Sequence, residues 1–213
     1  MNWFIETLGT SIGKKMLMAI TGAGFILFLA IHLIGNMTIY FGKNVFLSYV
    51  THLHALGPLI VFAEIGLLVF AFIHVTFGTI LFFENRRARP SRYALKRRAG
   101  GRTIGSGTMP YTGFIILAFL VLHLINFHFV DLSGKTIFDV VSAHFSRLFY
   151  VFVYTGAVII VALHVSHGFW SLFQSLGANH EKYMPFLKVL GTLFALSFAL
   201  GFGFIPVFMW LSV

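Results

Sequence analysis

Four apolar stretches of the chain share one feature, a central histidine: IHLIG (31–35), FIHVTFG (72–78), LVLHLIN (120–126) and VALHVSHG (161–168). Each lies in a run of apolar residues long enough to cross a bilayer. An ionisable side chain in hydrocarbon is costly, so each histidine is by default a candidate functional residue. They are His32, His74, His123 and His164. Four such residues in the first four apolar runs indicate a shared purpose.

The composition is that of an integral membrane protein. Apolar residues make up 58% of the 213 residues, charged residues only 10%, and the mean hydropathy is +0.91, whereas soluble domains carry about 25% charged residues. The absence of cysteine excludes disulfides, cysteine-ligated zinc and thiolate-bound iron–sulfur clusters, which leaves histidine as the metal ligand. The net charge of +9 is interpreted as loop charge and not as a nucleic-acid surface.

The apolar runs predict an all-α integral membrane fold, a bundle of five transmembrane helices in one domain covering residues 1–213. Pro58 and Pro110 are expected to open the second and third helices, and Pro206 to kink the fifth. The predicted helices are 16–41, 58–83, 110–130, 147–174 and 185–212. Short polar loops join them, except for one long basic loop, 84–109.

The basic residues are divided unequally between the two ends of this bundle. One end has twelve basic residues and the other has three. By the positive-inside rule, this difference predicts a cytoplasmic N-terminus and an external C-terminus. The twelve are Lys14, Lys15, Arg86, Arg87, Arg89, Arg92, Lys96, Arg97, Arg98, Arg102, Lys182 and Lys188, and the three are Lys43, Lys135 and Arg147. Any docking surface for a soluble partner is expected on the basic side.

Once the direction of a helix is assigned, the depth of a residue in the membrane follows from its position in the helix, at about 1.5 Å of rise per residue. His32 and His123 lie late in helices that run outward, and His74 and His164 lie late in helices that run inward. Two layers are therefore predicted. We name His32 with His123 the outer pair and His74 with His164 the inner pair.

Paired histidines on different helices suit haem, because its iron takes axial ligands on opposite faces of the macrocycle. The pattern predicts two haems b with the four histidines as iron ligands. Glycines follow three of the histidines by three or four residues, on the same helical face, where a missing side chain admits a flat ligand. The three expected cofactor-binding glycines are Gly35, Gly78 and Gly168.

Other interpretations of these histidines stay open on the residues alone. Each could be an interhelical hydrogen-bonding group without a metal. His167 lies one turn after His164 and could replace it as a ligand. Zinc is disfavoured, because a structural zinc site gathers four ligands at one depth.

Glu64 is the only carboxylate inside a predicted span. It precedes His74 by ten residues, about 15 Å of helix, which puts it near the level of the outer pair. It is a candidate proton acceptor at a quinol site. The alternative is a structural hydrogen bond to a neighbouring helix.

Several motifs, in their order along the chain, resemble one family. They are SIGKKMLMAITG (11–22), HLIGN (32–36), ARPSRY (88–93), TMPYTGFIILAFLVLHLINF (108–127) and HVSHGFWSLFQSLGANHEKY (164–183). Together they resemble the cytochrome b membrane-anchor subunit of succinate dehydrogenases and fumarate reductases, in the variety where one five-helix polypeptide carries two haems b. The resemblance covers nearly the whole chain and implies the bacterial cytoplasmic membrane.

The resemblance implies a role for each site residue and a set of partners. It pairs His74 with His164 near the soluble subunits and His32 with His123 farther away, and so favours His164 over His167. Glu64 is similar to an acidic residue at the distal quinol site. The implied partners are a flavoprotein with covalently held FAD, an iron–sulfur subunit on the cytoplasmic face, membrane lipid, and quinone, expected to be menaquinone. The chain would be the electron-transfer and quinone-reactive subunit of that enzyme.

One position departs from some members of that family. Certain dihaem fumarate reductases carry a glutamate two residues before the fourth-span ligand, where it is thought to move protons, and this chain has Ala162 there. Without that carboxylate, electron transfer across the membrane would be electrogenic, and the membrane potential could help drive electrons from succinate to menaquinone. The departure therefore favours succinate oxidation as the physiological direction, and fumarate reduction stays open. Two other functions stay open: a haem-free membrane anchor, and the dihaem cytochrome b of another respiratory complex, such as a formate dehydrogenase or hydrogenase.

Overall fold

Residues 6, 7, 9–88 and 104–212 are described by a computed structural model, and their regular secondary structure is helical. Five helices are long and apolar enough to cross a membrane, as predicted. They are α1 (Ser11–Met37, extended by a 3-10 turn, Thr38–Phe41), α3 (Pro58–Arg87), α4 (Ile104–Phe127), α6 (Leu148–Ser175) and α7 (Met184–Leu211). Two shorter helices lie between them, α2 (Lys43–His54) and α5 (Ile137–Phe145).

Two of the long helices begin earlier than predicted. α1 starts at Ser11, because the Thr10 side chain accepts a hydrogen bond from the Gly13 N–H at 3.1 Å and caps the helix. α4 starts at Ile104, so Pro110 lies inside the helix and does not open it. The Thr108 and Thr112 hydroxyls donate to backbone carbonyls of the preceding turns, which helps a membrane helix to tolerate the proline.

The short helices α2 and α5 correct the sequence interpretation, which treated both segments as polar loops. α5 opens with a capping box, in which Thr136 accepts from the Asp139 N–H while the Asp139 carboxylate accepts from the Thr136 N–H. This Thr-x-x-Asp spacing before an apolar run is a readable helix start. An ion pair of 2.6 Å, Lys43 to Asp139, joins the two short helices.

Ion pairs also identify the two ends of the bundle. Lys14 at the start of α1 pairs with Glu84 at the end of α3, as expected of antiparallel neighbours. We call this the Lys14 end, and the end with the Lys43–Asp139 pair the Lys43 end. Six of the twelve basic residues counted on the first side lie outside the described residues, within 89–103.

A buried core at the Lys43 end ties the short helices to the long ones. Its members come from the 3-10 turn, α2, α5, α6 and α7: Ile39, Phe46, Phe145, Val151, Tyr154, Ile205 and Met209. α7 continues through Pro206, and two nearby carbonyls accept side-chain hydrogen bonds, Gly201 from Tyr40 and Gly203 from Thr155. Apolar side chains face outward, among them Phe62, Leu68 and Phe72 on α3, which suits contact with lipid.

The contact between α2 and α5 should depend on pH through Asp139. Hydrogen bonds from the Lys43 ammonium and then from Thr136 hold the pKa of this carboxyl well below its ordinary value of 3.8. A depressed folded-state pKa contributes stability above the ordinary value that is lost as the pH falls through the folded value. We expect Asp139→Asn to lower Tm in detergent at pH 7, and the gap to wild type to close as the medium is acidified. An equal Tm at pH 7 would contradict the pairing.

Candidate functional site

The four helices that carry the histidines surround a common axis. α1 packs against α3 and α6, and α4 packs against α6 and, less extensively, against α3. α1 and α4 therefore lie across one diagonal of the bundle, and α3 and α6 across the other. α7 lies outside this square, against α6 and α1.

The outer pair spans the first diagonal. The ring centroids of His32 and His123 are 6.0 Å apart, with planes 87° apart. Aromatic rings surround them: Phe28 stacks on His32 at 5.1 Å, and Tyr154 lies 6.1 Å from His123. The Nδ1 atom of His123 is buried without a hydrogen-bond partner among the described residues. Such an atom costs about 1–3 kcal/mol, so this ring has the capacity for one more bond.

The inner pair spans the second diagonal, nearer the Lys14 end. The ring centroids of His74 and His164 are 6.5 Å apart. A threonine from the adjacent helix approaches each ring: Thr21 Oγ1 lies 3.0 Å from His74 Nδ1, and Thr112 Oγ1 lies 3.0 Å from His164 Nδ1. The depth argument predicted these two pairings, and the structure brings the rings together in those pairs.

Two glycines that the sequence analysis did not name face the inner histidines. A Cβ added at Gly22 would lie 3.4 Å from His74 Cε1, and one at Gly113 would lie 3.6 Å from His164 Cε1. Among the predicted glycines, Gly78 faces Met18 and Gly168 faces Met109, and the space beside Gly35 is taken by Tyr49 of α2.

A repeated motif, which the sequence reasoning missed, marks these contacts. Thr-Gly occurs at 21–22 and again at 112–113, and in both places a His-Leu-Ile follows, with its histidine eleven residues after the threonine. Eleven residues make about three helical turns and 16 Å, so threonine and histidine share one face at two levels. A search for internal repeats would have shown α1 and α4 to be equivalent.

His167 lies apart from the inner pair. The structure places His164 against His74, whereas the His167 ring meets Trp170 edge-on at 4.7 Å. Its Cβ would lie 2.8 Å from a Cβ added at Gly105, so it also faces α4. The geometry therefore favours His164 as the member of the pair.

Glu64 on α3 lies beside His128, just past the end of α4. Its carboxylate is 3.9 Å from Nδ1 of His128, and both side chains are about half exposed (48% and 46%). Because His128 follows His123 by five residues, the Glu64–His128 pair is displaced about 7 Å toward the Lys43 end. Glu64 belongs to the edge of the bundle.

Within the described residues, no three His, Asp or Glu side chains gather as a metal site. The bundle instead contains two pairs of histidines, His32 with His123 and His74 with His164. No protein-family model, curated protein or solved structure matches the chain. The site has to be interpreted from its own geometry and from the motifs of the sequence.

The contact between Gly35 and Tyr49 gives a test of the α1–α2 packing. A Cβ at position 35 would overlap the Tyr49 ring, so Gly35→Ala should destabilise the fold by about 1–3 kcal/mol. Gly66→Ala is the matched control, because its Cβ would meet no atom within 4 Å. Thermal unfolding in detergent measures both variants. Gly35→Ala combined with Tyr49→Ala should recover part of the loss, and equal Tm values for Gly35→Ala and Gly66→Ala would contradict the contact.

Proposed function

We propose that the chain is the dihaem cytochrome b membrane anchor of a succinate:quinone oxidoreductase, carrying electrons between an iron–sulfur subunit and a membrane quinone, expected to be menaquinone. The observation that supports this most strongly is the spacing of the paired histidine rings. The ordered motifs that resemble the succinate dehydrogenase and fumarate reductase anchors support it independently.

The ring spacing fits a metal held between two imidazoles. A metal–imidazole bond is about 2.0 Å and the nitrogen lies about 1 Å from the ring centre, so two axial rings on one metal have centroids about 6 Å apart. The observed separations are 6.0 and 6.5 Å. Two protein ligands per site suit haem, whose macrocycle supplies four more, better than a structural zinc, which needs four from the protein.

Haem bound at these two sites would supply reversible one-electron transfer. The chain holds the ligands on rigid helices, and the aromatic side chains around the outer pair exclude water. The two pairs lie about 16 Å apart along α1 and α4, one toward each membrane surface. This arrangement suits a path from one side of the membrane to the other.

The orientation in the membrane follows from charge. Lys14, Lys15, Arg86 and Arg87 lie at the Lys14 end, which by the positive-inside rule faces the cytoplasm. In a bacterial cytoplasmic membrane, the iron–sulfur subunit and its FAD-containing flavoprotein would then dock at this end, nearest the inner pair. Ala162, buried in α6, provides no carboxylate beside that pair, and we extend the proposal to succinate oxidation as the physiological direction.

Glu64 and His128 are proposed to handle protons of the quinone reaction. They lie at the Lys43 end and are half exposed, so a quinone in the surrounding membrane would have access to them. A carboxylate beside an imidazole can accept a proton and pass it on. The pair is also close to the external surface in the proposed orientation, so protons would exchange on that side.

Replacing histidines should remove the haems selectively. His74→Ala or His164→Ala should eliminate the inner haem, and His32→Ala or His123→Ala the outer one, because each haem loses an axial ligand. His167→Ala is the matched control and should keep both. The haem-to-protein ratio from redox difference spectra measures this, with an expected fall from two to one. Loss of a haem in His167→Ala, or retention of both in His74→Ala, would contradict the assignments.

Glu64→Gln should impair quinone turnover without disturbing the haems. Removing a group that accepts a proton lowers the rate by about 10²-fold, while the difference spectrum should stay that of wild type. Glu84→Gln, a carboxylate substitution at the Lys14 end, is the control. Quinol oxidation by the purified complex measures both variants. Wild-type turnover in Glu64→Gln would refute the proton role.

Two measurements separate the proposed function from its alternatives. A haem-free anchor would show no b-type absorption in the purified chain. The cytochrome of a different respiratory complex would show haem but co-purify with other soluble subunits. Co-purification with a flavoprotein that oxidises succinate is the outcome that supports the proposal.

A further inference from the structure

Two threonines contact the histidines of the inner pair in the same way. Thr21 and Thr112 are 2% and 9% exposed, so water does not compete for their hydroxyls. The Thr21 hydroxyl donates to the Leu17 carbonyl at 2.8 Å, and the Thr112 hydroxyl donates to the Met109 carbonyl at 3.0 Å. A hydroxyl has one hydrogen. With that hydrogen given to a carbonyl, a lone pair of each oxygen is left to accept from Nδ1 of the adjacent histidine, 3.0 Å away.

An oxygen lone pair 3.0 Å from a ring nitrogen accepts a hydrogen bond from an N–H at that position. A neutral imidazole carries one N–H and one lone pair. With the proton on Nδ1, the lone pair is on Nε2. Both members of the inner pair are then in the tautomer that presents Nε2 as a ligand.

We propose that Thr21 and Thr112 are positioning residues that fix His74 and His164 in the Nδ1-protonated tautomer and so prepare both Nε2 atoms to bind iron. The identity of the bound group rests on the proposed function, whereas the tautomer rests on the hydrogen bonds alone. Gly22 and Gly113 contribute to this arrangement, because each leaves room for the histidine ring beside its neighbouring threonine. Thr-Gly thus occupies the two corners of the bundle that carry no histidine at this level.

The outer pair lacks this arrangement. The Asn36 amide nitrogen lies 3.4 Å from both nitrogens of the His32 ring, and an amide nitrogen donates but does not accept. Nδ1 of His123 has no partner among the described residues. The two sites are therefore chemically distinct, and loss of the threonine hydroxyls should affect only the inner one.

Thr21→Val and Thr112→Val test the proposal, since valine keeps the shape and removes the hydroxyl. An N–H donated to an oxygen makes the ring a stronger ligand for ferric iron, so both variants should raise the midpoint potential of the inner haem and weaken its retention about tenfold. The outer haem should be unchanged. Thr21→Ser and Thr112→Ser should restore wild-type behaviour. Thr155→Val is the control, because that hydroxyl serves a backbone carbonyl, and it should shift neither haem.

A second readout does not depend on the variants or on electron transfer. In ¹⁵N NMR of the full-length chain, reduced and labelled at its histidine nitrogens, His74 and His164 should show a protonated Nδ1. The same spectrum decides the question if the chain carries no haem, so failure of the proposed function is distinguishable from failure of this inference. A proton on Nε2, or Thr→Val variants that retain haem with wild-type potentials, would overturn the proposal.

Discussion

Every nitrogen of an imidazole that lies inside a membrane needs a partner, and the architecture of this bundle follows from that constraint. Hydrocarbon offers no hydrogen bonds, and unpaired polar groups there are costly. At the inner level, threonine hydroxyls meet Nδ1 of both histidines, and the two rings lie 6.5 Å apart across the bundle. At the outer level, aromatic rings close around His32 and His123, and Nδ1 of His123 has no hydrogen-bond partner in the part of the chain that the structure describes. At both levels the two rings of a pair meet across the bundle.

The helices are arranged to serve these two levels. Histidines that face each other come from diagonal helices, so each pair links elements that hardly touch directly, and the adjacent helices supply the supporting residues. The tightly packed parts lie elsewhere, between α6 and α7 and in the core at the Lys43 end. A group bound between the rings would therefore contribute to holding α1, α3, α4 and α6 together, since ligand binding to the folded state stabilises it.

Sequence reasoning succeeded where a single helix carries the information. Apolar runs and the alternation of direction were enough for the five spans and for the pairing of His74 with His164. Apart from the histidine pairs, sequence reasoning did not find the contacts that join residues on different helices. Tyr49 fills the space at Gly35 because α2, hidden among histidines and polar residues, folds back on α1. The partner of Glu64, His128 after α4, could not be identified from α3 alone. The Thr-Gly repeat can be found in the sequence alone, but the structure was needed to show that its threonines contact His74 and His164.

The central claim is that each histidine pair holds one haem, and the most direct test is to count the haems of the wild-type chain. Purified from haem-replete cells, the full-length protein is expected to contain two haems b per chain. Electron paramagnetic resonance of the oxidised protein should show two distinct low-spin ferric signals, because six-coordinate bis-histidine iron is low-spin in two different surroundings. A chain without haem, or one whose iron is high-spin with a ligand missing, would contradict the account.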